Sequence, residues 1–242
     1  MSYNIHYGIG MDGKKDLSRI AQIINNSGPG IIGLQEIGDA AMAEELASLT
    51  NMHFVFGPSK KSTSEYGDAV LCKYPFKYVG NTSIPSASSS RYQAMCVDID
   101  LSELYGETCS VRLINTHFDW LETLASQVSR KAAVEVIEQV FFKHNMKQPA
   151  LLTGDINATP SSDPLRLLYE KGWLNESLDK KLLTEPSLNP DKQIDYVLVR
   201  PSSAWQVVEV EVIHDSMASD HLPVVMTLKL VVELLKTKQY TQ

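Results

Sequence analysis

Apolar positions along the chain follow two rhythms, a helical repeat of about 3.6 residues and short β-branched runs bounded by Gly, Pro and Ser clusters. A strand ending in Tyr3-Asn4-Ile5-His6 leads to a helix with Leu17, Ile20, Ala21 and Ile24 on one face and Asp16 as its cap. A buried strand, Ile31-Ile32-Gly33-Leu34, then runs into Gln35-Glu36. The order repeats in the second half. A strand from Val111 to His117 leads to a long helix whose stripe is read as Leu124, Val128, Ala132, Val136, Ile137, Val140 and Phe141. Past Pro149, the strand Ala150-Leu151-Leu152-Thr153 ends in Gly154-Asp155-Ile156-Asn157. Strand-like runs lie between the halves at 52–57, 69–74, 77–84 and 92–100, and after residue 190 at 194–199, 207–213 and 222–232. Strands outnumber helices, so the expected architecture is a layered α/β sandwich, two sheets face to face with helices outside.

Composition refines this only slightly. With 43% hydrophobic and 21% charged residues among 242, the chain is expected to be a single domain over 1–242, with 233–242 a frayed tail, and a monomer. No apolar run approaches the roughly 20 residues of a membrane-spanning helix, and the first residues lack the order of a signal peptide, so a soluble protein is expected. The opening strand is short, which leaves an upstream segment and the localisation open. Cys72, Cys96 and Cys109 have no metal-ligand spacing and read as buried free thiols. The net charge of −7 disfavours long duplex nucleic acid as a partner, because duplex affinity rests on neutralising phosphates. The basic pairs Lys14-Lys15, Lys60-Lys61 and Lys180-Lys181 read as solvated loop charge.

Several apolar strands end in polar residues spaced i, i+2, which alternation projects to one side: Asn4 with His6, Asn115 with His117, Asp155 with Asn157. Each alone is an ordinary turn former or cap. Together they would be costly to bury without something polar to meet.

Ser2-Tyr3-Asn4-Ile5, Leu34-Gln35-Glu36, Asn115-Thr116-His117, Gly154-Asp155-Ile156-Asn157, Ile194-Asp195-Tyr196 and Ser219-Asp220-His221-Leu222-Pro223 resemble, in order and spacing, the motifs of the endonuclease/exonuclease/phosphatase superfamily. The resemblance spans nearly the whole chain and implies a four-layer α/β sandwich, two packed mixed sheets flanked by helices. It also implies attack of water on a phosphate ester, most simply a phosphodiester. Carboxylate and amide oxygens suit Mg²⁺ or Mn²⁺. Glu36 is the leading ligand candidate, and the resemblance adds Asp220, with Asn4 in or beside the ligand shell. His221 would act as a base oriented by Asp195; His117 would stabilise charge on the phosphate; Asp155 and Asn157 would position the water and the phosphate. Whether Asp155 or His221 takes the proton is left open. Arg91, Tyr66 and His6 are expected to touch substrate, and Arg130 to tie the long helix to a loop. His53, His144 and His214 read as bland.

Two departures from the family pattern are present, the first expected to touch a loop and not the chemistry, the second disfavouring the inositol polyphosphate 5-phosphatase subgroup. The usual Pro-Asp before the second strand is Pro29-Gly30, and the Trp-Cys-Asp-Arg motif of inositol polyphosphate 5-phosphatases is replaced by Asp191-Lys192-Gln193-Ile194-Asp195. The rival readings are a phosphomonoesterase acting on a sugar or inositol phosphate, and an inactive binding protein of the same fold.

Overall fold

The computed structural model describes residues 1–59, 66–106, 108–143 and 148–231. The two strand–helix–strand repeats form its two parallel strand pairs. In the first, β1 (Ser2–Asn4) and β2 (Ile31–Ile37) are joined through α1 (Leu17–Ser27). In the second, β7 (Ser110–His117) and β8 (Ala150–Asp155) are joined through α4 (Leu124–Ile137). Each pair is built into an otherwise antiparallel sheet. The first sheet also holds β3 (His53–Pro58), β4 (Gly67–Cys72), β10 (Trp205–Val212) and β11 (Val224–Leu230), in the order β10-β11-β1-β2-β4-β3. The second adds β5 (Phe76–Ile84), β6 (Tyr92–Asp100) and β9 (Asp195–Arg200), in the order β5-β6-β7-β8-β9. Three further helices are α2 (Ala40–Thr50), the short α3 (Ser102–Tyr105) and α5 (Asp163–Glu170).

Side-chain alternation sorts the strands into three buried layers. Tyr3, Ile32 and Leu34 face outward against Ile20 and Ile24 of α1 and Leu46 of α2. Val70, Leu113, Leu151, Val197 and Val224 fill the space between the sheets. Ile114, Leu152 and Leu198, the neighbours in sequence of three of those residues, face the other way onto Ala133, Val134, Ile137 and Leu165. The result is a four-layer α/β sandwich of two mixed sheets flanked by helices.

Local chemistry sets the helix ends. Asp16 accepts the Arg19 backbone N–H at 3.1 Å and Gly28 closes α1 at φ 66°; Asp39 and Thr123 cap α2 and α4 in the same way. All three cysteines are buried free thiols. No helix among the described residues is long and apolar enough to cross a membrane.

Two expectations need correction. The first strand stops at Asn4, whose Oδ1 accepts the His6 N–H at 3.1 Å; this bends the chain into a tight turn with positive φ at His6 and Tyr7. The stripe read on the long helix also fails. Each four-residue step over-rotates by about 40°, so positions from 124 to 140 cannot share a face. The buried face of α4 runs through Ser126, Arg130, Ala133, Val134 and Ile137, while Leu124, Val128 and Val140 are exposed. The tail at 233–242, the pair Lys60-Lys61 and His144 lie outside the described residues.

Candidate active site

Parallel register aligns His117 with Asp155 across β7 and β8, and antiparallel register aligns Asp155 with Asp195 across β8 and β9. The second sheet therefore presents His117, Asp155 and Asp195 in one row at its edge. The first sheet brings Asn4 and Glu36 to the same end from β1 and β2. The segment before β11 brings Asp220 and His221. It is anchored by Ser219, whose hydroxyl donates to Asn4 O at 2.8 Å, and by the Ser187 N–H, which donates to Asp220 O at 2.7 Å.

The Asn4 amide joins the two sheets. Its Nδ2 donates to Glu36 Oε1 and to Asp155 Oδ2, each at 3.1 Å. The His221 Nδ1–H donates to Asp195 Oδ2 at 2.9 Å, so Nε2 faces Asp155 Oδ2 at 3.7 Å. His117 Nε2 lies 3.6 Å from the same Asp155 oxygen and 3.2 Å from Asn157 Nδ2. Asn157 sits at φ 50°, a strained value for a non-glycine residue, and is held there because its N–H donates to Asp155 Oδ1 at 2.9 Å and its Nδ2 to Phe118 O at 3.0 Å.

Burial sets the electrostatics. It pushes the Asp155 carboxyl, with the Asp195 charge acting in the same direction, up to about 6. Burial also raises Glu36, against the opposing hydrogen bond from Asn4 and with help from Asp220. His117 is lowered by burial. At His221 burial alone would lower the imidazole, but Asp195 and Asp155 outweigh it and hold it well above its ordinary value.

These groups line one side of a cleft of about 970 Å³. His6, Tyr66 and Arg91 also line it, His6 by way of the tight turn after Asn4, with Nδ1 3.8 Å from Asp220 Oδ1. Asp195 and Asn4 lie beneath, buried. His53 and His214 are not among its lining residues. Arg130 donates to the Asp119 and Leu121 carbonyls, at 2.6 and 3.2 Å, and so ties α4 to the loop that precedes it.

Sequence reasoning missed four neighbours. Tyr92 meets the His117 ring edge-on at a centroid distance of 4.9 Å. Asp68 is buried beside Glu36, accepts its backbone N–H, and is raised well above the carboxylate range by burial and by the Glu36 charge. Trp120 lines the cleft just after His117, with Asp119 buried behind it. Asp119 alone carried a signal, a carboxylate two residues beyond Asn-Thr-His; the others depend on strand pairing.

Asp155, Asp195 and His221 each bring an oxygen or nitrogen within 4.8 Å of one another, a spacing that could hold a cation. Two of them, however, are already committed to the 2.9 Å hydrogen bond between them. Glu36 and Asp220 are half-buried and line the cleft, and among the described residues no lysine or arginine pairs with either. Their hard oxygens are the better fit to a dication.

The profile of the Endonuclease/Exonuclease/phosphatase family matches residues 1–221, from the first strand through His221. The chain belongs to this family. Members of the Endonuclease/Exonuclease/phosphatase family are hydrolases acting on phosphate esters. The fold is similar to an endonuclease/exonuclease/phosphatase from Beutenbergia cavernae, with a TM-score of 0.74 and 22% identity over 94% of this chain and 70% of that one. It is also similar to a mannosyl-6-phosphatase from Bacteroides thetaiotaomicron (TM-score 0.71, 17% identity, 88% of this chain and 90% of that one). A third similar structure is the human Nocturnin catalytic domain with bound sulfate (TM-score 0.73, 17% identity, 95% of this chain and 92% of that one). At these identities the likeness establishes the fold. No curated protein matches the sequence.

Proposed function

We propose that this chain is a Mg²⁺- or Mn²⁺-dependent phosphoesterase that hydrolyses a small phosphodiester. The observation that carries the reading is the convergence on Asp155: the Asn4–Glu36 pair reaches it from one sheet, and His117 and the Asp195–His221 pair from the other. Glu36 and Asp220 would hold the cation, with Asn4 fixing the Glu36 carboxylate. Such a cation polarises a phosphoryl oxygen and offsets charge on the leaving oxygen.

The remaining work belongs to the chain's own groups. Asp155 is ionised above about pH 6 and accepts the proton of the attacking water, while Asn157, pinned to its backbone, orients the phosphate. His117 and His221 flank Asp155 and stabilise charge that develops on the phosphorus oxygens, and Asp195 holds the His221 ring in one orientation. Arg91, Tyr66 and His6 meet the substrate at the cleft wall. Duplex nucleic acid is disfavoured by the net charge of −7.

The test is hydrolysis of bis(p-nitrophenyl) phosphate with Mg²⁺ beside p-nitrophenyl phosphate, with and without EDTA. Activity on the diester that EDTA abolishes is expected. Glu36→Gln should raise the Mg²⁺ concentration for half-maximal rate at least about tenfold and reduce the Mg²⁺-induced rise in Tm, with circular dichroism unchanged. Full activity in EDTA rejects the metal assignment. A strong preference for the monoester would favour a phosphomonoesterase, the activity named for the Bacteroides structure.

A further inference from the structure

On β2, Ile32 and Leu34 face the helices, while Gly33 and Gln35 face the second sheet, where Gln35 Nε2 donates to Asn115 Oδ1 at 2.7 Å. Strict alternation would continue with Glu36 among the apolar side chains of α1 and α2 and with Ile37 between the sheets. The structure does the reverse. Ile37 is buried with Ile32 and Leu34 on the helix side, and Glu36 lines the cleft. The register explains the exchange: Leu34 pairs with Ala69 and Ile37 with Gly67, so Gln35 and Glu36 together oppose the single residue Asp68. This is a β-bulge, which inserts one residue and re-aims a side chain. The distortion falls on Glu36 itself, at φ 59°, a left-handed value that few residues other than glycine adopt.

Such a conformation persists only where its surroundings hold it. Two backbone groups of the bulge have partners outside β2. The Gln35 carbonyl accepts the Ile5 N–H at 3.1 Å, and the Glu36 N–H donates to the Asp68 carboxylate. Asp68 is out of place on β4. Alternation puts it on the face of Val70 and Cys72, in the apolar layer between the sheets; it is 2% exposed and does not line the cleft. A carboxyl group is costly to bury there. The proposed reaction gives it no direct part, and its link to the site runs through the Glu36 N–H.

We propose that Asp68 is a positioning residue: it holds the bulge that turns Glu36 out of the helix-facing layer into the cleft, and so sets the affinity for Mg²⁺ without touching the ion. The inference rests on the reading of Glu36 as a ligand to the cation. The Asn4 amide, which donates to Glu36 Oε1 at 3.1 Å, fixes the far end of a side chain whose backbone Asp68 fixes. Residue 68 needs only an acceptor oxygen for this, so asparagine should serve, whereas alanine and valine should not. Groups that orient a metal ligand are commonly worth about tenfold to a hundredfold in affinity.

The experiment measures the Mg²⁺ concentration at the midpoint of two responses, the Mg²⁺-induced rise in Tm and the rate on bis(p-nitrophenyl) phosphate. It compares the wild type with Asp68→Ala, Asp68→Val, Asp68→Asn and Glu36→Gln, and circular dichroism and urea unfolding of the metal-free proteins check the fold. Asp68→Ala and Asp68→Val should raise both midpoints at least about tenfold, and saturating Mg²⁺ should restore most of kcat. Asp68→Asn should leave both midpoints unchanged. Added to Glu36→Gln, Asp68→Val should cost little more, because it acts through Glu36. A merely structural role would lower the urea midpoint and leave the Mg²⁺ midpoints in place, which overturns the proposal. An asparagine variant as impaired as alanine, or a multiplicative loss with Glu36→Gln, also overturns it. If the alanine and valine variants both fail to fold, Asp68 is a requirement of the fold as a whole and the proposal falls. Unchanged midpoints in Glu36→Gln reject the ligand assignment beneath it; raised midpoints there beside unchanged Asp68 variants reject the positioning role alone.

Discussion

The Asp195–His221 hydrogen bond at 2.9 Å makes the two groups one structural unit of the proposed site, since the carboxylate decides which imidazole nitrogen faces Asp155. Residues that act as a unit lose activity non-additively. Asp195→Asn and His221→Ala should each lower kcat by at least about a hundredfold, the low end for loss of a donor aimed at developing charge, and the double variant should cost little more than His221→Ala alone. Strictly multiplicative losses in folded variants would show that another group orients His221. Asp155 supports a second prediction. Its folded pKa of about 6 lies above the ordinary carboxylate value of roughly 4, so the folded state binds a proton between these pH values that the unfolded chain does not. Stability contributed by that proton is present in acid and is lost as pH rises through about 6. In metal-free protein, Asp155→Asn should therefore flatten the change in Tm between about pH 4 and 7. An unchanged slope would mean that Asp155 is not the strained carboxylate.

At the scale of elements, the close approach of β2 to the second sheet depends on Gly33. A Cβ there would collide with Thr153 Oγ1 and Asn115 Oδ1. Asn115 occupies that space because its amide links the sheets: Nδ2 donates to the Leu34 and Ala69 carbonyls, at 2.9 and 3.0 Å, and Oδ1 accepts from Gln35 at 2.7 Å and Thr153 at 3.0 Å. Gly33→Ala should destabilise the fold by about 1–3 kcal/mol, the cost of overpacking, measured by urea unfolding. A neutral result would show that the two sheets can separate at this point. Asn115 was legible as a polar residue out of place on an apolar strand, but its partners belong to the other sheet. The long helix was misread for a related reason. Its inner face carries Ser126, Ser129 and Arg130, polar residues that satisfy Asp119 and the loop before the helix, and no hydropathy pattern marks them as buried.

For the whole molecule, neither sheet carries a complete site. The first supplies Asn4 and Glu36, the second His117, Asp155 and Asp195, and the segment before β11 closes the set with Asp220 and His221. The site therefore exists only when the sheets are packed, and the charged groups are placed where packing has already excluded much of the water. That is the origin of the raised carboxyls at Glu36, Asp68 and Asp155. It is also why a bound cation, which would offset that charge, is expected to stabilise the protein.

The sequence by itself determined the layered class and the two strand–helix–strand repeats, because hydropathic periodicity is a local property of the chain, and its ordered motifs marked the residues that gather at the cleft; side-chain alternation did not place His6 and Asn157, which follow the strands in turns. Arg91, Tyr66 and His6 were also legible as cleft residues, although His6 arrives by a turn that the Asn4 side chain builds. The tertiary structure decided the rest. Register across β7, β8 and β9 set His117, Asp155 and Asp195 in a row; packing of the sheets brought Asn4 to Asp155; and strand pairing placed Tyr92 of β6 and Asp68 of β4 as neighbours, with Asp119 following from the loop after β7. Pairings between residues as far apart as Asn4 and Asp155 depend on strand order and sheet twist, and no local pattern in the chain encodes them.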